Sequence, residues 1–144
     1  MTIIYVLLIA HFVADWLCQT DWMALNKSKR WDALAAHVAV YSLVLATALT
    51  PWIIADGPFW SAFLLVNAAA HFVQDAITSR INARLWFFDM AKPVYWPSRR
   101  NPHGPAVQHF AVHGGDRHWF FVAIGFDQLL HYLVLFKTAE WWLA

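Results

Sequence analysis

Apolar residues in this chain come in long runs, and polar residues gather between them. Four stretches, at about residues 2–20, 34–55, 58–79 and 118–136, approach the roughly 20 mostly apolar residues that a membrane-crossing helix needs. They predict an all-α, four-helix transmembrane bundle made by a single domain over residues 1–144. The first stretch is expected to remain as a spanning helix. It lacks a basic leading segment, His11 and Asp15 interrupt its apolar run, and no small-residue cleavage pattern follows.

The polar connections differ sharply in charge. Residues 21–33 carry Lys27, Lys29 and Arg30, and residues 80–117 carry Arg80, Arg84, Lys92, Arg99, Arg100 and Arg117, whereas residues 55–58 have no basic side chain. The remaining cation, Lys137, follows the last apolar stretch. The positive-inside rule then places both basic connections in the cytoplasm and both termini outside, in a bacterial inner membrane. Trp22, Trp31, Trp52, Trp60, Trp86, Trp96, Trp119, Trp141 and Trp142 fall at or beyond the expected helix ends, as interfacial anchors do, and Trp16 is the exception. The long loop 80–117 holds Pro93, Pro97, Pro102, Pro105 and a Gly114-Gly115 pair, which prevent one continuous helix. Its first part, residues 81–96, mixes large apolar side chains with Arg84 and Lys92 and suits the headgroup layer.

Composition agrees with the pattern. Hydrophobic residues make up 60% of the 144 and charged residues 13%, against about 25% charged in ordinary soluble domains, which excludes a soluble globular protein. Mean hydropathy is +0.45. A net charge of +1 excludes a nucleic-acid binder built on a basic surface. The single cysteine, Cys18, excludes a disulfide framework and a four-thiolate zinc cage; on the face of His11 and Asp15 it reads as a small core residue or an extra ligand.

Seven ionisable residues remain inside the apolar stretches: His11, Asp15, His37, His71, Asp75, Asp127 and His131. A central Asp costs about 2.5 to 3.5 kcal/mol on insertion scales, so three unpaired ones would cost on the order of 7 to 10 kcal/mol. His11-Phe12-Val13-Ala14-Asp15 and His71-Phe72-Val73-Gln74-Asp75 share one pattern, and Asp127-Gln128-Leu129-Leu130-His131 reverses it at the same interval. Four residues of helix put both side chains of each pair on one face. The duplication is also consistent with an internal parallel repeat. Measured from the expected cytoplasmic helix ends at 1.5 Å per residue, His11, His71 and Asp127 lie about 13 Å deep, Asp15 and Asp75 about 7 Å, His37 about 5 Å and His131 about 20 Å.

Histidine and carboxylate on facing helices are ligands for zinc, manganese or iron. His11, His71 and Asp127 are the expected first ligands of a divalent metal, His37 and His131 further ligands, and Asp15 and Asp75 the candidate catalytic bases for metal-dependent hydrolysis of a lipid or headgroup. Glu140, the one glutamate, lies outside this set, unlike the ferritin-like carboxylate pattern. Three alternatives stay open: proton or cation transport, which a chain this short would perform as a homo-oligomer; a structural core in which each His hydrogen-bonds its Asp; and axial haem ligation. The expected partners are the bilayer and an anionic headgroup met by Arg99, Arg100 and Arg117, with no nucleic acid. His103, His109, His113 and His118 share that loop, where interfacial histidines need no special role.

The run from His11 through Gln19-Thr20-Asp21-Trp22-Met23-Ala24 to Lys27, with His37, His71 to Asp75, and Gly125-Phe126-Asp127-Gln128 to His131, resembles an uncharacterised family of small polytopic membrane proteins of bacteria and their phages. The resemblance spans nearly all four helices and implies the topology and the residue set, not an activity. Through the intramembrane His and Asp alone, the chain is more loosely similar to bacterial membrane-bound metal-dependent hydrolases.

Overall fold

A computed structural model describes the backbone of residues 2–90, 94–96, 107–109 and 118–144, and the side chains of residues 3–85 and 119–144. The packed body is all helical. Helix α1 (Thr2–Phe12) runs directly into a π-helical turn (Val13–Leu17), and α2 (Asp21–Asn26), α3 (Trp31–Ala48), α4 (Thr50–Ala55), α5 (Gly57–Met90) and α6 (His118–Leu143) follow. Before α6, β1 (Val94–Trp96) and β2 (Val107–His109) pair antiparallel with Val94 opposite His109.

Local chemistry accounts for most of these boundaries. Thr20 opens α2 by accepting a hydrogen bond from Met23 N at 3.3 Å. Asp32 sits in the first turn of α3, where its carboxylate favours the helix N-terminus, accepts from Ala33 N at 2.9 Å and pairs with Arg30 at 2.6 Å. Pro51 has no N–H to continue α3, so the second apolar stretch breaks at Leu49 and resumes as α4. Asp56 starts α5 by accepting from Phe59 N at 3.3 Å. After Pro58 in its first turn no proline or glycine interrupts the chain until Pro93, and α5 runs past residue 79 to Met90, taking in much of the segment expected to lie in the headgroup layer. The last helix likewise extends beyond residue 136 to Leu143.

The four long segments close a ring in which α1 and α5 each pack against both α3 and α6. Buried positions recur every fourth residue, as Phe63, Asn67, His71, Asp75 and Ser79 on α5 and as Asp127, His131, Leu135 and Ala139 on α6. Each row changes character partway along. One half of the interior is apolar, built from Leu7, Leu45, Leu49, Trp60, Phe63 and Leu135, and the other half holds the histidines and carboxylates.

The outer surface reverses the usual arrangement, since Ile9, Leu43, Leu65, Ile77, Phe126 and Leu129 are exposed while, among the described residues, nine polar or charged ones are buried. Trp31–Ala48 and Trp119–Leu143, with mean hydropathies of 1.4 and 1.6, are long and apolar enough to cross a membrane, and Ile3–Leu17 forms a shorter apolar helix. Among the described residues α5 falls outside that class because Asn67, His71, Gln74 and Asp75 interrupt its apolar sequence.

Leu45 is fully buried in the apolar layer and Leu43 is 67% exposed two residues away. Leu45→Ala is expected to cost about 3 kcal/mol and Leu43→Ala under about 1 kcal/mol. Thermal unfolding of the detergent-solubilised variants checks the contrast.

Candidate metal centre

The polar half of the interior is organised around Asp75. From α5, His71 and Asp75 project one turn apart into the bundle, α3 supplies His37, and the π turn supplies Asp15. One ligand atom from each of these four buried residues lies within 4.8 Å of the others. His37 Nε2 is 3.0 Å from Asp15 Oδ1, 3.1 Å from Asp75 Oδ2 and 3.1 Å from His71 Nε2. His71 Nε2 is 3.7 Å from Asp15 Oδ1 and 3.6 Å from Asp75 Oδ2. A tetrahedron around an ion with bonds of about 2.0 to 2.1 Å has edges of about 3.3 to 3.4 Å. Five of the six edges measured here bracket that value.

Hydrogen bonding alone does not satisfy this cluster. A neutral imidazole carries one proton, so His37 Nε2 can donate to at most one of three atoms near 3 Å, and its approach to His71 Nε2 requires one of those nitrogens to be bare. Asp15 Oδ1 is buried and receives no hydrogen bond despite its closeness to His37. The Nδ1 atoms of His37 and His71 are also without partners. His71 is held by stacking, its ring lying on Tyr41 with centroids 3.9 Å apart and planes 15° from parallel.

A surrounding shell orients the carboxylates. Gln128 Nε2 donates to Asp15 Oδ2 at 2.5 Å while Gln128 Oε1 accepts from the Trp16 indole N–H at 3.0 Å, which leaves Asp15 Oδ1 aimed inward. That contact gives Trp16, the one tryptophan away from an expected helix end, its own role. Lys27, just beyond α2, reaches both oxygens of Asp75 at 3.3 and 3.1 Å. Ser79 Oγ donates to the Asp75 carbonyl at 2.5 Å.

A second group, Asp75, Asp127 and His131, also brings three ligand atoms within 4.8 Å. His131 Nε2 is 3.8 Å from Asp75 Oδ1 and His131 Nδ1 is 3.4 Å from Asp127 Oδ1. A cavity of about 520 Å³ adjoins both groups, with Asp15, Asp127, Gln128, Lys27 and Ser28 among its polar lining and Trp16, Leu25, Phe120 and Ile124 among its apolar lining.

Six of the seven residues singled out in the sequence therefore supply atoms to these two groups. His11 does not; its Nδ1 lies 3.4 Å from the Tyr41 hydroxyl, and its ring faces Tyr132 at 4.5 Å. The π turn explains the separation. Cys18 N bonds back five residues to Val13 O at 2.9 Å, so Asp15 leaves the α-helical i,i+4 relation to His11 that the regular α5 preserves between His71 and Asp75. Asp15 and Asp75, expected as bases or further ligands, stand among the candidate ligands. His131, expected deeper than the rest, sits beside His71 with ring centroids 4.4 Å apart, and α5 continues to Met90, beyond the helix end expected at residue 79. Lys27, Gln128 and Tyr41 were not singled out as site residues. Tyr41 follows His37 at i+4, a spacing that points to it. Arg99, Arg100, Arg117, His103 and His113, and the side chains of His109 and His118, lie outside the described residues.

An all-helical bundle with a buried His/Asp cluster and two helices apolar enough for a membrane defines the class of protein. The chain matches over residues 3–143, and belongs to, the family DUF3307, described as a protein of unknown function. No curated protein and no solved structure matches it. The resemblance read from the sequence, to an uncharacterised family, holds at that level.

Lys27→Met would leave the Asp75 carboxylate buried beside no cation, at an expected cost of about 3 kcal/mol in metal-stripped protein. Adding Asp75→Asn should recover most of that loss. Melting temperatures of Lys27→Met, Asp75→Asn and the double variant in chelator, compared with wild type in a double-mutant cycle, check the coupling.

Proposed function

We propose that this is a four-span inner-membrane protein, both termini outside, that holds a divalent ion (zinc, manganese or iron) between Asp15, His37, His71 and Asp75 in its cytoplasmic half. The observation that carries the reading is the convergence of four buried ligand atoms with too few protons to satisfy one another. A cation answers both the geometry and the charge. Asp15, Asp75 and Asp127 bring three negative charges and Lys27 one positive, so one divalent ion neutralises the cluster.

The reaction proposed beside this centre, at the cavity, is metal-assisted hydrolysis of an ester in a lipid or its headgroup. The adjoining cavity supports it by setting Lys27 and Ser28, suited to an anionic head, beside Trp16, Leu25, Phe120 and Ile124, suited to a chain. Asp127 lies on the cavity wall, among the residues an entering ester would meet. A transport path receives less support, because among the described residues Leu7, Leu45, Leu49, Phe63 and Leu135 pack the bundle beyond the polar zone, where the polar side chains Asn67 and Thr138 bond to each other. Polar glue alone would leave Asp15 Oδ1 and His131 Nε2 buried without a partner, an arrangement that costs about 1 to 3 kcal/mol per group.

Elemental analysis of detergent-purified protein loaded in turn with zinc, manganese and iron is the direct test. At least one ion per folded chain is expected, with loss of the ion in His37→Ala and Asp15→Asn. A folded protein that retains no stoichiometric metal after all three loadings would sink the proposal. For the topology, alkaline phosphatase fused at Asp56 is expected to be active and the same reporter fused at Ser28 inactive; the reverse result would invert the orientation.

A further inference from the structure

We infer that Asp75, Asp127 and His131 form a second divalent-cation site that opens on the cavity and shares Asp75 with the first. This rests on the metal reading above and deepens it by assigning different jobs to the two positions.

The tautomer of His131 is the first reason. Its Nδ1 lies 2.8 Å from the Asp127 carbonyl oxygen, to which it donates, so Nε2 is a bare lone pair. That Nε2 is buried in a residue only 2% exposed, and it has no hydrogen-bond partner. A ring N–H held by a backbone carbonyl with the opposite nitrogen left free is how proteins present histidine to a metal.

The second reason is the orientation of Asp75. Its Oδ2 turns toward His37 and His71, while its Oδ1 is the oxygen nearest His131 Nε2, at 3.8 Å. A carboxylate with one oxygen in each ligand group is placed to bridge two ions, as in two-metal centres whose ions lie about 3.5 to 4 Å apart. Asp127 completes the group, its Oδ1 buried and without a hydrogen bond.

The two positions differ in what they leave open. Four protein ligands close the first, the pattern of a structural site, whereas three ligands beside a cavity leave the second a free position, the pattern of a catalytic one. Charge points the same way. With Lys27 counted, one divalent ion neutralises the three carboxylates and a second leaves an excess of two positive charges. The second ion therefore binds together with hydroxide or an anionic oxygen ligand from the cavity, at the place where the headgroup of an anionic lipid would enter.

Manganese supplies the test, because it reports both stoichiometry and proximity. Detergent-purified full-length protein equilibrated with Mn2+ should bind two ions per chain and show an exchange-coupled electron paramagnetic resonance spectrum. Asp127→Asn and His131→Gln should each bind one ion and give the six-line spectrum of an isolated Mn2+, while His37→Ala should lose the first ion. One ion in the wild type, unaffected by changes at Asp127 and His131, would overturn the second site and leave the first standing. Two ions without coupling, or two retained in Asp127→Asn, would also overturn it. No ion at all would remove the metal reading itself.

Discussion

Three carboxylates and four imidazoles share the interior of this bundle, and keeping them there constrains almost everything around them. Buried charge is tolerated only when it is paired, hydrogen-bonded or bound to a cation. Asp15, Asp75 and Asp127 are all nearly excluded from solvent, yet Lys27 is the cation that reaches Asp75. The imidazoles approach too closely, with too few protons, to complete the account. The geometry is a set of ligand atoms that lie within 4.8 Å of one another, close enough to hold a metal ion.

Several irregular features follow from that requirement. The π turn at Val13–Leu17 interrupts a helix containing no proline or glycine, and its effect is to bring Asp15 level with His37 and His71 while His11 stays against Tyr41 and Tyr132. The short helix α2 carries the chain back beneath the bundle so that Lys27 meets Asp75. Gln128 links α6 to the π turn through Asp15 and Trp16. The opposite half of the bundle has no such demands and is packed with leucine, tryptophan and phenylalanine. Apolar packing lies on one side of the polar centre and a cavity adjoins it on another.

Much of this was legible along the chain because long apolar runs with few charges inside them leave a coarse signature. Long apolar runs marked the four packed segments, and charges surviving within them marked the centre; six of those seven residues supply atoms to the two ligand groups. What failed was phase and length. Spacing by four residues assumes an unbroken α-helix, which holds for His71 and Asp75 and not for His11 and Asp15. Helix ends drawn where apolar character fades overlooked that α5 continues through polar sequence to Met90. Roles carried by unremarkable residues, such as Gln128, Tyr41 and Lys27, had no distinct local signal.

The amino-acid sequence by itself determined the segments, the asymmetry of basic charge between connections and the residue types at the centre, because each depends on the cost of placing a side chain in an apolar medium. Only the tertiary structure decided which of these residues meet. His37 and His71 stand 34 positions apart and touch at 3.1 Å, and Asp15 and Gln128 stand 113 apart and touch at 2.5 Å. Such contacts depend on the rotation and axial offset of one helix against another. Those quantities are set by packing across the whole ring of helices and have no counterpart in the spacing of residues along one of them.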